Sequence, residues 1–176
     1  AVQAEALCAA MAAVPGVFWL ITGSNADAGG QVCTRKMQEF AAARPERAGF
    51  IQSLGLRRYL SAMQYAALVA GNSSSGVVET PTFGVPAVNI GQRQAGRLLC
   101  ANVLCCPADA PAIEEALRTA LTPAFAARAR TARSPYNGGD TSGKICRVLR
   151  RFDFACCKTF YDGPVPEFDP QRSVFE

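Results

Sequence analysis

Short apolar runs alternate with longer stretches of helical periodicity along this chain. Residues 17–22, Val-Phe-Trp-Leu-Ile-Thr, form a continuous and partly β-branched apolar run, which suits a strand buried on both faces. Residues 66–70, 85–90 and 102–106 have a similar character, and a further short strand is expected within 48–54. Between these runs the period changes. Leu7, Met11 and Val14 fall at helical spacing over residues 1–13, which Pro15-Gly16 closes. A second helix is expected over 31–44, ended by Pro45, and Leu56, Tyr59, Leu60 and Met63 line one side of an amphipathic stretch. A helix should follow the serines at 73–75 and end near Gly84. Another spans 111–121, with Ile113, Leu117 and Ala120 aligned, and a basic amphipathic helix covers 143–152. Residues 134–142 are loop-like, and the last residues, with Pro164, Pro166 and Pro170, read as irregular. No internal repeat or low-complexity tract interrupts the alternation. It predicts an α/β domain, a Rossmann-like parallel sheet flanked by helices. The expected division is a domain over 1–152 and an irregular tail over 153–176.

In such a sheet the ligand crevice lies at the carboxyl ends of the strands, where loops 23–30, 71–76 and 91–97 should gather. The central loop reads Gly71-Asn-Ser-Ser-Ser-Gly-Val-Val-Glu79. Gly71 and Gly76 let backbone approach a ligand, and Ser73, Ser74 and Ser75 add hydroxyl donors. A polar turn between strand and helix is either a helix cap or an anion site, since helix N–H groups are unpaired there. The capping box is absent, because Gly76, Val77 and Val78 stand three residues after the serines. Glu79 lies four residues after Ser75, on the same helical face. A carboxylate would repel phosphate but would accept hydrogen bonds from sugar hydroxyls. The pattern outlines a nucleotide. In the third loop, Arg93 and Arg97 offer planar forks suited to paired phosphate oxygens, or to a salt bridge with a neighbour.

Composition removes several alternatives. A chain of 176 residues that is 49% hydrophobic can bury a core of its own. No apolar run is long enough to span a membrane, so no membrane partner is expected. The eight cysteines include no Cys-x-x-Cys pair and there is no histidine, so zinc spacing is lacking and no metal site is expected. Reduced thiols in a cytoplasmic protein are the expected state. Without histidine, Ser-His-Asp and Cys-His devices are impossible within the chain, and general acid–base work would fall to carboxylate, lysine, tyrosine or cysteine. The net charge of +4 is concentrated among arginines and lysine between 118 and 151 with few aromatics interleaved, which makes nucleic acid an unlikely partner. The first residues contain no basic targeting segment and read as helix, so the chain is expected to begin inside a longer protein.

The motifs then carry a resemblance. Asn25-Ala-Asp-Ala-Gly29, the serine loop continuing to Thr80-Pro81, Phe83-Gly-Val-Pro-Ala-Val-Asn-Ile-Gly91, Arg93-Gln-Ala-Gly-Arg97 and Ser134-Pro-Tyr-Asn-Gly-Gly-Asp-Thr-Ser-Gly-Lys-Ile145 follow in order. Together they resemble the C-terminal half of the hydrolysing UDP-N-acetylglucosamine 2-epimerases, over roughly residues 1–152. The resemblance implies a glycosyltransferase-B-like architecture of two Rossmann-like domains, of which this one holds UDP. It implies that Asn25 lies at the nucleotide, that backbone near Leu54 lies against uracil, and that Ser73 and Ser74 bind phosphate. Glu79 would hold the ribose hydroxyls, and Arg93 would sit at the nucleotide. The implied reaction eliminates UDP from UDP-N-acetylglucosamine to a 2-acetamidoglucal, to which water adds to give N-acetylmannosamine. The family's catalytic carboxylates lie on an N-terminal domain outside this sequence, so no catalytic residue and no cofactor is assigned here. The implied partners are UDP or UDP-N-acetylglucosamine, that N-terminal domain and a second copy in a homodimer. A glycosyltransferase of the same architecture and a non-catalytic nucleotide-binding module are the alternatives.

Overall fold

The computed structural model describes residues 2–24 and 29–152, and the chain divides into two units after Gly138. In the first unit, α1 (Val2–Ala13), β1 (Trp19–Thr22), α2 (Gly30–Ala42), β2 (Ala48–Ile51) and α3 (Gly55–Tyr65) lead to β3 (Val69–Gly71). Two short helices follow, α4 (Ser75–Val78) and α5 (Thr80–Phe83). Then come β4 (Ala87–Ile90), β5 (Val103–Cys106), α6 (Ala110–Ala120) and α7 (Pro123–Thr131). The second unit contributes α8 (Thr141–Arg151). The fold is α/β, as the alternation of periods predicts.

All the described strand pairs are parallel. They form two ladders, β1-β2 and β3-β4-β5, where a single sheet was expected. One apolar core serves both ladders: Trp19 and Ala48 from the first join Val88 and Ile90 from the second, with Met11, Ile113 and Leu117 from the helices. Central β4 is buried at every position because it has a strand on each side. β1 has one strand partner and departs from the expectation of burial on both faces. Trp19 turns inward and its Nε1 donates to the Met11 carbonyl at 3.2 Å, whereas Phe18 and Leu20 remain 61% and 47% exposed.

Other elements follow from local chemistry. Ile113, Leu117 and Ala120 of α6 are wholly buried, as their spacing predicts. The end of α1 leaves carbonyls without helical partners. Arg118 Nη2 donates to the Ala13 carbonyl at 2.7 Å, and the Arg47 guanidinium donates to the Ala12 and Val14 carbonyls. The continuous helix expected between the serines and Gly84 is broken at Glu79. Pro81 has no N–H, and its ring excludes the carbonyl that a continuous helix would place against it. Gly84 then ends α5 at φ 63, where a non-glycine residue would be strained. Helix α7 was not foreseen, although its signal is local: Thr122 Oγ1 accepts from the Phe125 amide and Pro123 occupies the first turn. In α8, Asp140 accepts from the Gly143 amide at 3.0 Å, and no residue of the helix is buried.

Among the described residues no helix is long and apolar enough to cross a membrane, and no cluster of His, Cys, Asp or Glu could hold a metal ion. The expected tail over 153–176, including Cys156 and Cys157, lies outside the described residues.

Candidate functional site

The serine loop leaves β3 at Gly71, whose φ of 150 favours glycine. Its amides divide into two groups. Those of Gly76 and Val77 donate to the carbonyls of Ser73 and Ser74, and those of Val78 and Glu79 to Ser74 and Ser75. The Ser75 amide donates to Ser73 Oγ at 3.3 Å. The amides of Ser73 and Ser74 make no hydrogen bond among the described residues, nor do the hydroxyls of Ser74 and Ser75. The loop therefore offers two N–H groups and two hydroxyls to whatever occupies the space before it. At Gly76 a Cβ would meet only Ala87 Cβ, at 3.9 Å, so nothing inside the protein requires glycine there.

Glu79 sits at the break between α4 and α5. Its amide still donates to the Ser75 carbonyl at 3.1 Å, so the expected one-turn relation to Ser75 survives the break. The next residue is locked. Thr80 Oγ1 donates to the Gly76 carbonyl at 2.8 Å and accepts from Asn102 Nδ2 at 2.9 Å, with both residues wholly buried. Glu79 is thus carried on a fixed backbone. Its Oε2 is buried without a hydrogen-bond partner. An unmet buried acceptor costs about 1–3 kcal/mol, more for a charged group, which makes it a place where a donor is missing. Glu79 lines a cleft of about 360 Å³ with Leu60, Val78, Phe83, Ser134 and Tyr136. The Tyr136 hydroxyl donates to the Leu98 carbonyl at 3.0 Å and its amide to Ser134 Oγ at 3.2 Å, which holds the 134–137 turn in place. Sequence reasoning placed residues 134–142 in a loop without giving Ser134 or Tyr136 a role.

Loop 91–97 is built on β5. The Gly91 amide donates to the Cys106 carbonyl at 2.9 Å, Ala95 to Gln92 at 2.9 Å and Arg97 to Gln94 at 3.2 Å. Arg93 and Arg97 are exposed, but Gln94 between them is only 5% exposed. Its Nε2 donates to the Asn72 carbonyl at 2.8 Å and so ties this loop to the serine loop. A second cleft, lined by Asn89, Gln94, Arg97, Cys105 and Cys106, lies at the ends of β4 and β5. Burial pushes the Cys106 thiol above its ordinary value, with Cys105 and Asp109 adding to the rise.

The remaining predicted residues belong to the β1-β2 ladder. The Gly23 amide donates to the carbonyls of Ile51 and Gln52, and a Cβ at Gly23 would overlap Gln52, so glycine is required for this close approach. Leu54 stands half-buried at the start of α3. Asn25 lies outside the described residues. The described hydrogen bonds thus bring the loops together in two pairs, 71–76 with 91–97 and 23–24 with 51–52.

Parallel strands, polar loops at their carboxyl ends and a carboxylate facing a cleft describe a Rossmann-like domain. The chain belongs to the UDP-N-acetylglucosamine 2-epimerase family, whose sequence model matches residues 2–150. It is 30% identical over 152 residues to the polysialic acid biosynthesis protein P7 of Escherichia coli, covering 83% of this chain and 38% of that protein. It is 39% identical over 85 residues to the hydrolysing GDP/UDP-N,N'-diacetylbacillosamine 2-epimerase of Campylobacter jejuni, covering 48% and 22%. A hydrolysing UDP-N,N'-diacetylbacillosamine 2-epimerase of Legionella pneumophila is 28% identical over 126 residues, covering 72% and 32%. The chain therefore spans between 22% and 38% of the length of these relatives.

Proposed function

We propose that this chain is the UDP-binding half of a hydrolysing UDP-N-acetylglucosamine 2-epimerase. The observation that carries the reading is the buried, unpartnered Oε2 of Glu79, one helical turn beyond a loop with two unpaired amides. A ribose hydroxyl supplies the missing donor. The Ser73 and Ser74 amides and the serine hydroxyls, beside Gly76, receive the diphosphate, and Arg93 adds positive charge on the adjoining loop. Leu54 and Asn25 complete the nucleoside end of the proposal.

The reaction proposed for the parent enzyme is elimination of UDP to a 2-acetamidoglucal, followed by addition of water at the double bond to give N-acetylmannosamine. This chain's part is to stabilise the departing diphosphate. The base at C2 is assigned to the parent's N-terminal domain, since in the described cleft Glu79 is committed to the ribose and the Tyr136 hydroxyl donates to the Leu98 carbonyl. The purified 176-residue chain is therefore expected to bind UDP and to form no N-acetylmannosamine; turnover by the chain alone would overturn this division of labour. The six described cysteines are all free, which fits the proposed cytoplasmic setting. The assembled enzyme is proposed to be a homodimer, which sedimentation of the full-length parent would check.

Calorimetric titration tests the site. Arg93→Ala should weaken UDP more than uridine. Equal losses for the two ligands would place Arg93 away from the phosphates.

A further inference from the structure

We propose that Gln94 is a positioning residue: it pins the peptide between Asn72 and Ser73 so that the Ser73 amide faces the anion. The proposal rests on the reading of the serine loop as a diphosphate cradle, and it adds a residue that touches no ligand.

The Asn72 carbonyl and the Ser73 amide belong to one peptide plane. In a trans peptide these two groups point in opposite directions, so whatever holds the carbonyl also aims the N–H. Gln94 Nε2 is the one hydrogen-bond donor to the Asn72 carbonyl among the described residues, at 2.8 Å. A carbonyl accepts only from the amide NH2, so the orientation of the Gln94 side chain is determined by this contact. Without it nothing described holds the plane against rotation about ψ of Asn72 and φ of Ser73, the two torsions that flank it. A turned plane would present an oxygen to the anion in place of an N–H.

The base of this strut is independent of the serine loop. Gln94 sits in a turn closed by the Ala95–Gln92 and Arg97–Gln94 hydrogen bonds, anchored on β5 through Gly91 and Cys106. Positive φ at Gly91 and Gly96 shapes that turn. The side chain is buried although both sequence neighbours are exposed, and its Oε1 is buried with no partner. Burying a glutamine with one end unmet is unfavourable, which argues that the other end has a task. The same strut sets the spacing between the unpaired serine amides and the backbone that bears Arg93. Gln94 thereby tunes affinity for the diphosphate without altering contacts to the nucleoside.

The test uses the whole chain, with Gln94→Met and Gln94→Glu. Methionine keeps length and removes the donor. Glutamate keeps shape; its carboxylate cannot donate at pH 7, but its carboxylic acid can at about pH 4. In Q94M, UDP affinity should fall about tenfold or more while uridine affinity changes less than about twofold, as the removal of one ligand-facing amide implies. In Q94E the loss of UDP affinity relative to wild type should shrink as pH falls towards 4. Without ligand, the Ser73 amide resonance and its hydrogen exchange should move in both variants, while those of Ile113 in α6 stay fixed. An unchanged Ser73 amide would overturn the strut, and equal losses of UDP and uridine would overturn its bias towards the diphosphate. If the Ser73 amide moves but wild type itself binds no UDP, the strut stands and the nucleotide reading of the loop falls. If Q94M does not fold, Q94E decides by the same readouts.

Discussion

At the scale of single residues, Glu79 carries the argument because burial and chemistry disagree there. The sequence placed it one turn after Ser75, and the structure keeps that relation through the Glu79–Ser75 backbone hydrogen bond although the helix breaks. Replacing Glu79 with Gln keeps the volume and weakens the acceptor. UDP affinity should fall by about 1–2 kcal/mol if two ribose hydrogen bonds are lost. Uridine should lose as much, since the contact is to ribose; no change for either ligand would make Glu79 a structural residue. Gln94 was invisible as a position of interest, because one buried glutamine in an exposed loop leaves no periodic signal. The thiols give a pH prediction. Cys8 and Cys106 are both pushed above the ordinary value of 9.0, chiefly by burial. The folded state then holds these protons when the unfolded chain has begun to release them. Their contribution to stability is fully present below pH 9.0 and is lost as pH rises through the folded values. Urea unfolding of wild type and Cys8→Ala should give a difference that is constant below that pH and shrinks above it. A constant difference across the alkaline range would contradict the shift at Cys8.

At the scale of elements, legibility followed the strength of local rules. The buried stripe of α6 was plain because three residues at helical spacing carry it. Leu117→Ala should cost about 2–5 kcal/mol in chemical denaturation, since the side chain is wholly buried. A cost near zero would mean that Leu117 is not in the core. Gly84 ends α5 with φ 63, and a Cβ there would lie 3.0 Å from Arg130 Cα in α7. Gly84→Ala should therefore destabilise by more than about 1 kcal/mol, by strain as well as by crowding; a neutral or stabilising effect would contradict both. Other features were hidden for physical reasons. The apolar run at 17–22 looked like a strand covered on both faces, but coverage depends on neighbours that a local pattern does not record, and β1 has one. The break at Glu79 was written in Pro81, yet Pro81 also fits the first turn of a helix, which is how α5 uses it. Helix α7 has a cap but only Phe125 and Ala129 buried, too few to make a stripe.

At the scale of the whole molecule, alternating periods gave the α/β class and the parallel pairing, and the family model matches residues 2–150 of the same chain. The division into two ladders was not legible, because which strands share hydrogen bonds is decided by tertiary packing around α1 and α6. Of the three loops expected to gather at strand ends, the described hydrogen bonds join 71–76 with 91–97. That coupling through Gln94 and the cleft closed by the 134–137 turn needed coordinates. In the proposed division of labour this domain alone holds the nucleotide. The most direct test is isothermal titration of UDP into the purified 176-residue chain, with uridine as the comparison ligand. Saturable binding of one UDP per chain, tighter than uridine, is expected. Absence of UDP binding at millimolar concentration, or equal affinity for UDP and uridine, would contradict it.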